Sequence, residues 1–115
     1  MYTKLINIDR KDIDKEKLGE AARIIQNGGL VAFPTETVYG LGADAFNKDA
    51  AQKIYAAKNR PADNPLIVHI ADIEELDSIA CEISPKAKEM MDRFWPGPLT
   101  LILKKRQGLP DETTA

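Results

Sequence analysis

Hydrophobic residues recur along the chain at two spacings, one typical of helices and the other of strands. The first helix is predicted by apolar residues three or four positions apart, namely Leu18, Ala21, Ala22 and Ile25. Asp14 is a good N-cap residue for this helix. Gly28 and Gly29 follow it and supply the left-handed ending that such a helix needs.

Three further helices are predicted from their capping residues. These residues are Asn47, Asp72 with Glu75 as a capping box, and Ser84 followed by Pro85. The helix after Asn47 covers residues 48–58 and ends at Pro61 at the latest, because the residue before a proline avoids helical geometry. The last helix ends at the Trp-Pro-Gly-Pro sequence of residues 95–98.

Short apolar runs between the helices predict four strands. They cover residues 5–8, 30–33, 66–70 and 99–103. The second strand is expected to be buried, and the third is apolar on both faces apart from His69. Strands separated by helices indicate an α/β fold whose sheet is covered by helices. We expect residues 1–115 to be part of one domain.

Composition places the chain among soluble globular proteins, with 43% hydrophobic and 30% charged residues. The apolar runs are too short to cross a bilayer, and no apolar signal-peptide region follows the first residues. Cys81, the single cysteine, cannot form an internal disulfide and is interpreted as a packing residue on a helix. The expected location is the cytoplasm.

The net charge of −2 gives the whole chain no electrostatic footprint for nucleic acid. Positive charge is dense in two places, which are Lys53, Lys58 and Arg60, and the run of residues 104–106. The simpler interpretation of the second cluster is a solvated end of a strand. The first cluster lies inside a motif.

That motif is Lys-Asn-Arg-Pro-Ala-Asp-Asn-Pro-Leu, which begins at Lys58. Lys58 and Arg60 leave the end of a helix and converge on one anion if the backbone is extended there. The alternative is that both residues complement the negative end of the helix dipole. The residues alone leave the two interpretations open.

A second motif, Pro-Thr-Glu-Thr-Val-Tyr-Gly-Leu-Gly, follows the strand of residues 30–33. Ligands of open α/β sheets bind outside the carboxyl ends of strands, so this loop is in the right place for a site. Thr35 and Thr37 would offer paired hydroxyl groups to a small polar ligand. The alternative is an ordinary turn-rich loop, since these residue types are common in turns.

His69 is the only histidine and lies near the end of the predicted third strand. It is either a structural group or a ligand-binding one, and one histidine with one distant cysteine does not make a zinc site. Residues 94–100 form a rigid aromatic corner, which we interpret as part of the core or of a turn.

Together, three segments resemble the YrdC-like family of threonylcarbamoyl-adenylate synthases. They are Pro-Thr-Glu-Thr-Val-Tyr-Gly-Leu from Pro34, Lys-x-Arg-Pro with Asn-Pro-Leu from Lys58, and Trp-Pro-Gly-Pro-Leu-Thr from Trp95. The resemblance implies a twisted mixed sheet with flanking helices around a positively charged cavity. It also implies a nucleotidyltransferase that uses L-threonine, bicarbonate and ATP with Mg²⁺ and releases pyrophosphate. A partner enzyme then transfers the threonylcarbamoyl group to an adenosine beside the tRNA anticodon.

The resemblance assigns roles by motif. Thr37 and His69, with Thr35, would bind threonine, whereas Lys58, Arg60 and Asn64 would bind ATP. Lys58 and Arg60 would also neutralise charge on the phosphates. No protein metal ligand is implied, and the chain has no Ser-His-Asp or Cys-His pattern for covalent catalysis.

One departure concerns the far end of the family domain. The family pairs Lys-x-Arg with a later Ser-x-Asn segment, and no Ser-x-Asn occurs in these 115 residues. We therefore expect a truncated domain with a partial site, weak or no synthase activity, and a sheet edge that a second copy could cover in a homodimer.

Two alternatives stay open at this point. One is carbamoyl transfer in hydrogenase maturation, although the early position of the first motif leaves no room for the upstream domains of those proteins. The other is a non-catalytic module that binds RNA or ribosomes, against which the net charge of −2 counts.

Overall fold

The structure is a computed structural model that describes residues 2–59, 61 and 64–114. In that part of the chain, four α-helices and one 3₁₀ helix alternate with four short strands. The helices are α1 (Lys15–Gln26), α2 (Lys48–Lys58), the 3₁₀ helix (Ile73–Ser78), α3 (Pro85–Phe94) and α4 (Asp111–Thr114). The strands are β1 (Val31–Phe33), β2 (Gly40–Gly42), β3 (Ala80–Cys81) and β4 (Lys104–Lys105). The order confirms the predicted α/β class.

The predicted caps of α1 are confirmed at both ends. The Asp14 carboxylate accepts hydrogen bonds from the backbone N–H groups of Glu16 and Lys17, at 2.9 and 3.4 Å. At the other end Gly28 has φ of 83°, the left-handed conformation that glycine adopts without strain. The Gly29 N–H then closes the helix end on the carbonyl of Ile24 at 2.8 Å.

Helix α2 has the predicted bounds and the largest buried face. The Asn47 side chain accepts hydrogen bonds from the N–H groups of Asp49 and Ala50, at 3.0 and 3.1 Å. The helix ends at Asn59, whose φ of 50° turns the backbone away before Pro61. The buried residues of α2 are Ala50, Ala51, Ile54 and Tyr55.

The later caps are also confirmed, with one difference in helix type. Asp72 and Glu75 form the capping box, but the turn that they open is a 3₁₀ helix of 6 residues. The Ser84 hydroxyl accepts the Ala87 N–H at 3.1 Å and opens α3. In the aromatic corner after α3, the Trp95 indole donates to the carbonyl of Leu99 at 2.8 Å.

The strands pair as two separate two-stranded antiparallel sheets in the part of the chain that the structure describes. In one sheet Val31 lies opposite Gly42 and Phe33 lies opposite Gly40. A Cβ atom at Gly40 would lie 2.8 Å from ring carbons of Phe33, so a glycine lets the ring cover β2. Strand β1 matches the prediction, but it is half-buried with Ala32 exposed, so the expectation of a buried strand was wrong.

Three predicted strands are not observed where the sequence placed them. Residues 5–8, 66–70 and 99–103 lie outside the strands, and the last apolar run is followed by β4 instead. Cys81, which we expected on a helix, lies in β3 opposite Lys104. Apolar residues favour a strand, but a strand also needs a neighbouring strand to pair with, and none of these three runs pairs with a strand among the described residues.

The main apolar cluster lies between the 3₁₀ helix, β3 and α3. Its buried members are Leu76, Ala80 and Met91, and Trp95, Leu101 and Leu103 pack against them. Helix α4 packs separately against α2.

The chain exposes more surface than a self-contained domain of its size. The accessible surface is 9284 Å², whereas a compact protein of 12.7 kDa exposes about 6,200 Å². The radius of gyration of 15.5 Å also exceeds the roughly 13 Å expected for this length. Large apolar residues contribute to the excess, because Ile67 is 76% and Ile102 is 98% exposed.

We predict that Asn47→Ala lowers the free energy of unfolding by about 1 kcal/mol, because two N–H groups at the start of α2 lose their acceptor. Urea titration followed by circular dichroism measures the change. Asn7→Ala is the matched control, since the exposed Asn7 side chain makes no hydrogen bond among the described residues. Equal losses in the two variants would contradict the capping role.

Candidate functional site

The loop between β1 and β2 carries Thr35 and Thr37. The Thr35 hydroxyl donates to the carbonyl of Val38 and accepts the Thr37 N–H at 3.3 Å, so it holds the turn itself. Thr37 is exposed, and its hydroxyl makes no hydrogen bond within the part of the chain that the structure describes. The two interpretations of this loop, as an ordinary turn and as a binding loop, are therefore compatible. Thr35 stabilises the turn, and the Thr37 hydroxyl is the one without a hydrogen bond among the described residues.

The basic motif begins at the last residue of α2. Lys58 is exposed and forms no ion pair among residues 2–59, 61 and 64–114, whereas Arg60 lies outside the described residues. Asn64 is exposed, but its backbone is fixed, since its N–H donates to the carbonyl of Pro61 at 3.2 Å. Its own carbonyl accepts the Tyr55 hydroxyl at 2.9 Å.

The other local cations are already engaged. Lys53 donates to the carbonyl of Gly28 at 2.8 Å, beyond the end of α1. Lys104 pairs with Glu82 at 3.1 Å, and Lys105 pairs with Asp111. The hydrogen bond from Lys105, reinforced by its charge, lowers the pKa of Asp111. Both lysines of the second basic cluster thus serve structure. Lys58 is the lysine of the first cluster that has no ion pair among the described residues.

His69 lies on the surface with one ring nitrogen engaged. Its Nδ1 lies 3.0 Å from the carbonyl oxygen of Ile67. A carbonyl can only accept, so this contact assigns the proton of the neutral ring to Nδ1 and leaves a lone pair on Nε2. In this neutral form the Nε2 atom of His69 is an acceptor for a ligand N–H or O–H group.

A cavity of about 220 Å³ lies beside His69. It is lined by Asp44, Ala45, Phe46, Val68, His69, Ile70, Glu75, Ser78 and Ile79. Its volume is below the range of about 300–1,000 Å³ that is common for drug-sized ligands, so it suits a small metabolite. A groove of about 420 Å³ on α1 is lined by Lys15, Glu16, Gly19 and Arg23, none of which is a predicted site residue.

Most polar groups around the cavity are engaged with the backbone. Asp44 accepts the Phe46 N–H at 2.9 Å, and Glu75 accepts the Ala71 N–H at 2.8 Å. The Ser78 hydroxyl donates to the carbonyl of Glu75 at 2.6 Å. The wall is therefore held in place by local hydrogen bonds. The His69 ring is the side chain of the wall that keeps a nitrogen acceptor for a ligand.

The predicted site residues fall into three groups, which are the Thr35–Thr37 loop, the end of α2 with Asn64, and the cavity at His69. No hydrogen bond or ion pair connects the three groups within the described ranges. Sequence reasoning missed the wall residues Asp44 and Ser78. The local indication for Asp44 was its residue type, because an aspartate side chain commonly accepts the N–H two residues later in a tight turn, as it does here from Phe46.

No three His, Cys, Asp or Glu side chains in the described part of the chain lie close enough to hold a metal ion. No helix in that part is long and apolar enough to span a membrane.

Comparison with known proteins places these features in a family. Residues 23–115 match the sequence model of the Sua5, YciO and YrdC proteins, which carries the description "Telomere recombination". The threonylcarbamoyl-AMP synthase of Pyrococcus abyssi is 54% identical over 108 residues, which are 94% of this chain and 32% of that protein. The enzyme of the same name from Bacillus subtilis is 53% identical, over an alignment that covers 93% of this chain and 31% of that protein.

A solved structure gives the same result. The crystal structure of P. abyssi Sua5 complexed with L-threonine superposes with a TM-score of 0.88 at 52% identity, over 96% of this chain and 32% of that one. This match confirms the predicted YrdC-like α/β fold. The chain spans about a third of the length of these relatives. With most of its residues matched by the family model, the chain belongs to the Sua5, YciO and YrdC family.

Proposed function

We propose that this chain contributes to the synthesis of threonylcarbamoyl-AMP from L-threonine, bicarbonate and ATP. The observation that carries the proposal is its 52% identity and TM-score of 0.88 to a protein solved with L-threonine bound. The names of the other relatives point the same way. The activity belongs to the nucleotidyltransferase class and would serve tRNA modification in the cytoplasm, through a partner enzyme that receives the adenylate.

The threonine side of the site comprises Thr37, His69 and, at the turn, Thr35. The Thr37 hydroxyl, which makes no hydrogen bond within the described ranges, and the Nε2 lone pair of the neutral His69 ring would supply a donor and an acceptor for an amino acid. The small cavity beside His69 has a volume appropriate to such a ligand. Because the Thr35 hydroxyl is engaged in the turn, its proposed contribution is to shape the loop.

The ATP side comprises Lys58, Arg60 and Asn64. Lys58 is the lysine of its cluster without a partner in the described structure, so its ammonium group is available to phosphate oxygens. Mg²⁺ would arrive on the triphosphate as part of the substrate.

The proposed reaction needs no covalent protein intermediate. The threonine amine condenses with bicarbonate to a carbamate with loss of water, and a carbamate oxygen attacks the α-phosphorus of ATP. The bond to the β-phosphate breaks and pyrophosphate leaves with its electron pair. Lys58 and Arg60 stabilise charge on the phosphates, and the site otherwise acts by positioning. The proposal gives Cys81 no role; it is half-buried in β3, where its thiol lies 3.7 Å from the Lys105 carbonyl.

ATP binding tests the ligand assignment most directly. We predict that Lys58→Ala and Arg60→Ala each weaken Mg-ATP binding by about tenfold or more, because each removes a phosphate contact. Isothermal titration calorimetry measures the dissociation constants. Lys48→Ala, at the opposite end of the same helix, is the control and should leave them unchanged. RNA binding that falls steeply with salt and ignores threonine would instead favour the RNA-binding alternative.

Catalytic turnover is expected to be weak. The sequence has no Ser-x-Asn segment, so the nucleotide pocket of this chain alone lacks a wall that the family uses. We therefore predict that threonine-dependent pyrophosphate release from ATP stays close to background even where both substrates bind. Robust turnover by the 115-residue chain would contradict the proposal of a partial site.

We also propose that a second copy covers part of the exposed surface. The excess over a compact protein is about 3,000 Å², which is more than the ~800 Å² per partner that a standard interface buries. Ile102 is 98% exposed, in an apolar run that pairs with no strand in the part of the chain that the structure describes, and it marks this surface.

We predict that the chain behaves as a dimer in multi-angle light scattering at micromolar concentrations. Ile102→Lys should shift it toward the 12.7 kDa monomer, because a charge would be buried in the contact. Lys86→Glu, which changes an exposed side chain on α3, is the control. A monomer at all concentrations would exclude the second copy as the partner.

A further inference from the structure

Two buried residues donate hydroxyl hydrogen bonds to segments of the candidate site. They are Tyr55 on α2 and Thr113 on α4, which are 6% and 2% exposed. Neither residue lies in a motif that the sequence marked as functional. A buried hydroxyl is costly without a hydrogen-bond partner, so the partners of these two groups are informative.

Tyr55 fixes the backbone at Asn64. Its hydroxyl donates to the Asn64 carbonyl at 2.9 Å, over a separation of nine residues. The phenol ring is rigid and packed in the buried face of α2, so the position of its oxygen follows the helix. The backbone of Asn64, an exposed residue in a loop, is therefore tied to α2, the helix that ends at Lys58.

Thr113 joins two more segments. Its hydroxyl donates to the Ala45 carbonyl at 2.7 Å, across 68 residues of sequence. Its own carbonyl accepts the Leu66 N–H at 3.0 Å. Ala45 is part of the cavity wall beside His69, and Leu66 follows two residues after Asn64. One residue thus connects the proposed threonine side with the proposed ATP side.

Helix α4, which carries Thr113, is anchored to the rest of the fold. It packs against α2, and the Lys105 ammonium group contacts the Leu109 carbonyl at 3.3 Å and the Thr114 hydroxyl at 3.2 Å. Lys105 also pairs with Asp111. These contacts give the short helix a defined position, from which Thr113 can in turn position its two partners.

We propose that Tyr55 and Thr113 are positioning residues that set Asn64 and the Ala45 wall relative to Lys58 and His69. The proposal rests on the proposed function for the identity of the ligands, ATP and threonine. It goes beyond that function in assigning roles to two residues that touch neither ligand. A purely structural role for the same hydroxyls predicts a loss of stability with unchanged affinity for both ligands, and that difference can be measured.

The test compares Tyr55→Phe and Thr113→Val with the controls Tyr2→Phe and Thr3→Val, whose side chains are exposed. Calorimetry gives the dissociation constants for Mg-ATP and L-threonine, at a temperature where urea titration shows every variant to be folded. We expect Tyr55→Phe to weaken Mg-ATP about tenfold and threonine less than twofold. Thr113→Val removes the hydroxyl that holds the Ala45 wall but keeps the carbonyl that holds Leu66, so it should weaken threonine about tenfold and Mg-ATP less than twofold. Thr113→Ser, which keeps the hydroxyl, should restore threonine binding.

Dissociation constants that stay within twofold of wild type, for Mg-ATP in Tyr55→Phe and for threonine in Thr113→Val, would overturn the proposal. If Thr113→Val does not fold, the comparison of Tyr55→Phe with Tyr2→Phe decides. If the wild-type chain binds neither ligand, the proposed function fails, and amide hydrogen exchange still tests the positioning. Faster exchange at Phe46, in the turn whose Ala45 carbonyl loses its donor, in Thr113→Val than in Thr3→Val supports it, and equal exchange refutes it.

Discussion

The packing of α2 is the constraint on which the described site depends. Its buried face, from Ala50 to Tyr55, is covered in part by α4, and its ends are set by Asn47 and by the left-handed Asn59. Lys58 is the last residue of this helix, and the Asn64 carbonyl is hydrogen-bonded to the helix through the Tyr55 hydroxyl. Displacing α2 would therefore move the ATP side of the proposed site as a unit, together with the segments that Thr113 joins.

Charge acts locally in this protein. A net charge of −2 gives no overall attraction for ATP, which is itself an anion. Of the described lysines near the predicted anion sites, Lys53, Lys104 and Lys105 are committed to a carbonyl or to carboxylates. Lys58 has no such partner among the residues that the structure describes. A cation beside a fixed backbone suits phosphate recognition, and it requires no excess of positive charge over the whole chain.

The exposed apolar runs have a physical consequence of their own. Residues 66–70 and 99–103 alternate between half-buried and exposed positions, as strands of a half-covered sheet do, but neither pairs as a strand within the described ranges. Unpaired apolar segments of this kind readily take up another chain. The accessible surface is larger than that of a compact protein of the same mass, so this chain leaves exposed surface that a compact protein would bury. The chain also spans about a third of the length of its relatives.

The sequence alone determined the features that depend on neighbouring residues. Asp14, Asn47, Asp72 and Ser84 cap their helices as predicted, because a cap needs only a side-chain oxygen two or three residues before an N–H group. The ordered motifs likewise identified the family, since they are sequence patterns in themselves. The roles of Thr35, Thr37, Lys58, Arg60, Asn64 and His69 remain predictions.

Only the tertiary structure decided which apolar runs become strands and which polar groups are free. A run such as residues 66–70 has the composition of a strand, but pairing needs a neighbour that local sequence does not supply. Whether the Lys53 ammonium group is available to a ligand depends on a carbonyl 25 residues away, at Gly28. The bond from Thr113 to Ala45 spans 68 residues, and no local pattern encodes a contact that packing alone creates.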